Sequence, residues 1–274
     1  MNFSTALIVF LILFVLMFLL RMPIPMGMMT ACVFYFLVSG DNPKMVAQQT
    51  LKTFYTNYTI IAVPLFIFAA NIMNSGKVTD KVFGFAMGFV GRFKGGLGHV
   101  NVLASLIFSG MTGSAIADAS GLGKMEIDAM RAEGYDDGFS CAITAASATI
   151  GPIFPPSIPM VIYSMLSGAS VGALFMGGMV PAVLLAIALM IYIVIVANKR
   201  NYPTSEKIGL QQFFRYTFNA IPAILTPVIL LVGIYTGIMT PTEAGAVAGF
   251  YALIVAVLGY RVLKWDGFKQ VLID

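Results

Sequence analysis

Two short stretches hold the residue types that can coordinate a small ion inside an apolar environment. The first is SGMTGSAIAD, residues 109–118. Gly110 and Gly113 allow a sharp backbone turn, and Ser109, Thr112 and Ser114 place hydroxyls beside the carbonyls that such a turn exposes. Together they make a hard-oxygen environment suited to Na+. Ser114 is placed to cap a following helix, whose first amides would face an anionic solute. Asp118 is the one carboxylate in this apolar neighbourhood, and burying it must be offset by a bound cation or by the positive end of that helix. The same residues also have plainer uses. Gly, Ala and Ser let membrane helices approach closely, and Asp118 fits a first-turn helix charge near water.

The second stretch is ATIGPIFPPSIP, residues 148–159. Pro152, Pro155, Pro156 and Pro159 each lack an N–H and each deprive an upstream carbonyl of its helical partner, so no continuous helix runs through them. A simple kink needs one proline rather than four. The break frees carbonyls around residues 149–154, including those of Thr149 and Gly151, and adds the hydroxyls of Thr149 and Ser157. Backbone left unpaired at membrane depth persists only where protein or a wet cavity satisfies it, which marks a binding site in many transporters.

The elements that must position these stretches are membrane helices. The 274 residues are 59% hydrophobic and 10% charged, with a mean hydropathy of +0.90, too few charges to cover a soluble globule. Residues 1–20 lack a basic leader and a small-residue cleavage site, so they are expected to stay as a first helix. The pattern divides the chain into N-terminal helices over 1–76, an interfacial amphipathic arm over 77–96 and a re-entrant helical hairpin over 97–134. A Pro-broken helix over 135–169, a long transmembrane helix over 170–204, a second interfacial arm over 205–218 and a final helix pair over 219–274 follow. The fold class is thus an all-α polytopic membrane protein. The basic clusters in 77–94, 124–131, 199–215 and 261–269 can share the cytoplasmic side only if the hairpin enters and leaves by one face.

Other features exclude functions or read as structure. His99 is the only histidine, which removes His-rich zinc and haem sites. Cys32 and Cys141 lie in apolar segments and read as buried structural thiols. No P-loop, GxSxG or HExxH motif is present, so the common hydrolase chemistries have no foothold and the chain does not read as an enzyme. Thr240–Glu243 fits a capping box with Pro241 at the first helical position. Gly245 and Gly249, like Gly168 and Gly172, fit close helix packing. The mixed charges of residues 126–133 fit a solvated hairpin base.

GMTGSAIADASGLG, GPIFPPSIPMVIYS and later GIMTPTEAGAVAG, in this order, resemble signature segments of the large membrane subunit of TRAP transporters, the DctM-like family. The resemblance implies one half of an inverted-repeat, elevator-type transporter. It implies Na+-coupled uptake of an organic acid, of sialic acid or C4-dicarboxylate type, across the bacterial inner membrane. A small TRAP membrane subunit and a periplasmic substrate-binding protein would be its partners, and Na+ the coupling ion, with no cofactor. By the same resemblance Ser109, Gly110, Thr112, Gly113, Ser114, Asp118, Thr149 and Gly151 would hold Na+, and Ser114, Pro155, Pro156 and Ser157 would meet the substrate. Family members continue through a second inverted half, of which no hairpin or proline break is found here, so the sequence is expected to represent the N-terminal half. The alternative from a different class is a non-transporting scaffold that assembles partner subunits.

Overall fold

A computed structural model of the protein describes residues 3–56, 58–74, 78–204, 209–263 and 265–273. Among these residues the structure is helical apart from turns and one isolated bridge between Lys94 and Thr204. It divides into two compact units, Met1–Tyr58 and Thr59–Asp274.

In the first unit α1 (Phe3–Leu19) and α2 (Ile24–Ser39) pack side by side across a turn at Arg21. Gly27 makes this possible, because a Cβ there would lie 2.9 Å from the Cβ of Met17. Gly40 ends α2 in the left-handed conformation and returns its amide to the Phe36 carbonyl. α3 (Lys44–Thr56) follows and carries no buried residue.

The second unit starts with α4 (Ala62–Asn74) and α5 (Val78–Val90). Val78, Val82, Ala86 and Val90 recur every fourth residue and are buried against α6 (Gly96–Thr112) and α12 (Leu210–Tyr235). The i, i+4 spacing puts them on one face, while Phe89 and Phe93 are exposed. After α6 come α7 (Ala115–Gly121), α8 (Gly123–Ala132), α9 (Asp137–Ala148) and α10 (Ile158–Ser167). α11 (Val171–Arg200), α13 (Pro241–Ile254), a π segment (Val255–Gly259) and α14 (Trp265–Ile273) complete the unit with α12.

Three of these helices are long and apolar enough to cross a bilayer: Val171–Arg200, Gln211–Tyr235 and Pro241–Gly259. At 1.5 Å per residue α11 is about 45 Å long, more than the roughly 30 Å of a hydrocarbon core. Its outer face is Val180, Leu184, Ile187, Ile191 and Ile195, all exposed, while Phe175, Ala182, Ala186, Ile193 and Ala197 are buried. Water would not tolerate such a face on a lone globule; lipid does.

The structure corrects several expectations. Residues 210–218, read as part of a separate interfacial arm, are the first turns of one continuous α12 that carries Pro222 and Pro227 within it; residues 205–208 lie outside the described set. Cys141 is an exposed free thiol rather than a buried one, because α9 turns that face outward. Gly168 does not pack helices: it sits at φ +75° with no atom near its missing Cβ, and its amide caps α10 at the Ser164 carbonyl. Gly245 and Gly249 do pack, under Phe66 and Phe68 of α4, and the Thr240–Glu243 capping box forms in both directions.

A clasp joins the loop after α8 to the end of α11. Asp136 caps α9 through the Phe139 amide at 2.8 Å, pairs with Arg200 at 2.5 Å and accepts from the Tyr202 hydroxyl. Tyr135 stacks on Tyr202 at 4.5 Å between ring centroids. The Tyr202 hydroxyl, then the Phe139 amide and the Arg200 guanidinium, hold the Asp136 carboxyl down to about 2.

Candidate functional site

α6 ends at Gly113, which sits at φ +61° and returns its amide to the Ser109 carbonyl at 3.0 Å. The chain then reverses, and the Ser114 side chain accepts from the Ala117 amide at 3.4 Å to start α7. α7 and α8 run on with little interruption, since Leu122 donates to the Asp118 carbonyl and Glu126 to the Leu122 carbonyl, each at 3.0 Å. The result is a two-armed hairpin with α6 as first arm and α7–α8 as second, both packed on α9.

α9 stops at Ala148, and residues 149–157 form an irregular break before Ser157 opens α10, accepting from the Met160 amide at 3.3 Å and donating to the Pro152 carbonyl at 2.5 Å. The Pro155–Pro156 bond is cis. Among the described residues no hydrogen bond reaches the carbonyls of Gly151 or Phe154.

The hairpin tip sits on this break, backbone against backbone. Ile158 donates to the Gly113 carbonyl at 3.4 Å. A Cβ on Gly113 would lie 2.3 Å from the Pro156 carbonyl oxygen, and one on Gly151 would lie 3.0 Å from the Ser114 carbonyl carbon. Gly110 lies under Phe154 and Pro227, each 3.2 Å from its missing Cβ. At Gly113, with its positive φ and a backbone oxygen opposite, only glycine permits the approach, while a Cβ at Gly151 or Gly110 would press on its neighbours. Thr112 is buried at this junction with its hydroxyl unpartnered.

Of the residues read from the sequence, Gly110, Thr112, Gly113, Ser114, Gly151, Pro156 and Ser157 therefore share one junction, with Pro155 buried beside them. Ser109 is one turn deeper and spends its proton on the Ser105 carbonyl at 2.6 Å. Thr149 is exposed, and its hydroxyl is committed to the Ala146 carbonyl at 2.6 Å.

Below the tip, three polar stripes meet. Asn101, Ser105, Ser109 and Thr112 line one face of α6, and Ser140, Thr144 and Ser147 line one face of α9, all buried. Asn101 Nδ2 donates to Thr144 Oγ1 at 2.7 Å, Ser147 Oγ to Asn101 Oδ1 at 2.7 Å, and Ser105 Oγ to Ser147 Oγ at 3.1 Å. The third stripe, on the second arm, is Asp118, Leu122, Glu126 and Met130 at four-residue steps, each 1% exposed. Glu126 is thus not part of a solvated hairpin base: its local neighbours Lys124 and Asp128 face outward, and packing on α6 and α9 turns Glu126 in. Ser105 lies beside Asp118 and donates to Ser147, and among the described residues no geometrically sound hydrogen bond reaches the four carboxylate oxygens of Asp118 and Glu126. Sequence reading passed over Asn101, Ser105, Ser140, Thr144 and Ser147; their 3.6-residue spacing was the available signal.

The family model described as the DctM component of the tripartite ATP-independent periplasmic transporter matches residues 10–274. The chain is 45% identical to the sialic acid TRAP transporter large permease protein SiaM of Vibrio cholerae, over 88% of this chain and 56% of that protein. It is 40% identical to the sialic acid TRAP transporter permease protein SiaT of Haemophilus influenzae, over 95% of this chain and 42% of that protein. Identity to the C4-dicarboxylate TRAP transporter large permease protein DctM of Pseudomonas aeruginosa is 36%, over 85% and 55%. The chain spans about half the length of these relatives.

Proposed function

Because the chain belongs to the family of large membrane subunits of TRAP transporters, we propose that it forms the first half of a Na+-coupled carrier for an organic acid in the bacterial inner membrane. The observation that carries this reading is the seating of the hairpin tip on the proline break. Two interrupted helices meet where glycine brings backbone to backbone, with carbonyls unbonded and the Thr112 hydroxyl unpartnered. That is a set of neutral, hard oxygens, the donor type Na+ prefers, at the place where broken helices form ion sites. The positive end of the α10 dipole, at the Ser157 cap, supplies the partial positive charge that suits a carboxylate.

In this reading the hairpin is re-entrant and moves as part of a transport domain against scaffold helices, in the manner of an elevator. A small membrane subunit and a periplasmic substrate-binding protein complete the system. Sialic acid is the first acid to try, because the relatives named for it match at 45% and 40% identity against 36% for the C4-dicarboxylate protein.

The test is Na+-dependent uptake in proteoliposomes holding the full-length subunit, its small partner and the binding protein. Thr112→Val keeps the side-chain shape and removes the unpartnered hydroxyl, and the Na+ concentration for half-maximal uptake should rise at least tenfold while assembly is retained. Uptake that does not depend on Na+ would overturn the coupling, and no uptake at all, with a variant that only loses assembly, would favour the scaffold reading.

A further inference from the structure

We propose that a groove between the α5–α6 corner and α11 binds an anionic phospholipid, apart from the ion site at the tip. The groove has a volume of about 260 Å³; Val90 and Phe93 line one side, Ile187, Met190, Ile191 and Val194 of α11 line the other, and His99 completes the lining. One turn of an α-helix, about 10 Å across and 5.4 Å high, fills roughly 400 Å³. The space therefore seats a hydrocarbon chain rather than a helix.

Apolar walls alone describe any lipid-facing surface, and His99 sets this one apart. Its side chain is 4% exposed. The imidazole stands edge-on to Phe93, 6.0 Å between ring centroids, and lies beside the Lys94 carbonyl. Among the described residues its Nε2 has no hydrogen-bond partner. A buried polar atom in that state is costly, and a groove open to lipid has no water to offer it. A ligand with a polar head above an apolar chain answers both the walls and the nitrogen.

Charge at the corner selects the head. Arg92 and Lys94 flank Phe93 and are exposed, and the Arg92 guanidinium carbon lies 5.5 Å from the centre of the Phe93 ring. Among the described residues neither forms an ion pair. α6 starts two residues after Lys94 without a side-chain cap and without an acid in its first turn, so the positive end of its dipole adds to the same sign. The one acid of α5, Asp80, is in its first turn, at the far end from Arg92. α11 comes in at Gly95, whose missing Cβ would lie 2.7 Å from the Ala197 Cβ. The acid that reaches the end of α11, Asp136, is spent on Arg200 and Tyr202. A phosphate above an acyl chain matches free basic groups beside an apolar slot. The ammonium of a zwitterionic lipid would find no free carboxylate among these groups. His99, the fourth residue of α6, stands about one turn in from Lys94, within reach of the polar head.

The test uses the full-length subunit with its small partner in nanodiscs of phosphatidylcholine holding a trace of phosphatidylglycerol with a photoactivatable diazirine in its acyl chain. Peptide mass spectrometry after illumination maps the labelled residues. We expect label on Phe93, Ile187 and Ile191, displaced about tenfold better by unlabelled phosphatidylglycerol than by phosphatidylcholine, the selectivity that two basic groups confer. Arg92→Gln with Lys94→Gln should abolish that preference, and His99→Phe, which keeps a ring and removes Nε2, should lower labelling about threefold. The Arg92 and Lys94 side chains are exposed, so the double variant decides the matter should His99→Phe fail to assemble. Equal displacement by the two lipids, with labelling unchanged in the variants, would reduce the groove to ordinary lipid-facing surface and overturn the proposal. Labelling that appears only after the small subunit is removed would overturn it too, in favour of a partner helix. Neither readout uses Na+ or uptake, so a failure of the carrier reading leaves this result standing on its own.

Discussion

Two interfaces in this molecule are built from small residues and do different work. Where α13 crosses α4, Gly245 and Gly249 lie under Phe66 and Phe68, flanked by the buried alanines 244, 248 and 252. Glycine there makes room for rings. Where the hairpin meets α9 and the break, glycine makes room for backbone, and the other small residues carry hydroxyls. At the first interface each glycine meets an aromatic ring; the second holds a buried network and unpartnered oxygens. A stripe of Gly, Ala and Ser therefore says that two elements come close, and only the atoms opposite each glycine say why.

That contrast can be broken at single glycines. Gly113→Ala has the largest expected effect. The left-handed backbone alone costs roughly 1–2 kcal/mol for an L-residue, and the new Cβ meets a carbonyl oxygen at 2.3 Å that is backbone and cannot swing aside. The junction should open, with uptake abolished and the assembled complex lowered in melting temperature. Next is Ser147→Ala, which removes the hydrogen that Asn101 Oδ1 accepts. A buried carbonyl left unpaired costs about 1–3 kcal/mol, and the loss should appear in thermal unfolding of the complex with Na+ affinity at the tip kept. Gly245→Ala is milder. Its Cβ meets the edge of the Phe66 ring at 2.9 Å, and a side chain that can turn places the cost near the low end of overpacking, about 1 kcal/mol. Its uptake should keep the Na+ dependence of the parent, whereas a change in that dependence would erase the distinction between the interfaces.

How much of this was written in the sequence depends on whether the signal is local. The Ser114 and Thr240 caps, the turn at Gly113 and the interruption between residues 149 and 157 follow from side-chain type at fixed offsets, and each stands where the residues place it. The meeting of tip and break is a tertiary fact that the two motifs do not encode separately. Glu126 shows the limit most clearly. Its neighbours are charged, so the local reading is a wet helix, yet Asp118, Leu122, Glu126 and Met130 fall on one face and that face is buried. The period was legible; which face turns inward was decided by α6 and α9. α12 fails for the opposite reason: a change from polar to apolar composition near residue 219 suggested two elements, and the helix runs through it.

The clasp at Asp136 extends the comparison to a third kind of contact, exposed and charged, where the smallest effect is expected. Its carboxyl is held at about 2 against an ordinary 3.8, so the folded state binds the proton more weakly than the unfolded one. The stabilisation is then fully present above pH 3.8 and is lost as pH falls through about 2. Asp136 and Arg200 are both about half exposed, so solvent screening keeps the contribution small. Hydrogen exchange of the Phe139 amide, labelled briefly at each pH and corrected for intrinsic rate, should show protection kept to pH 3 and lost toward 2. Asp136→Ala should show it lost at every pH. Protection that disappears near pH 4 would mean the Tyr202 and Arg200 contacts do not hold the carboxylate, and the hairpin base would then be joined to α11 through the packing of Tyr135 and Phe139 rather than through charge.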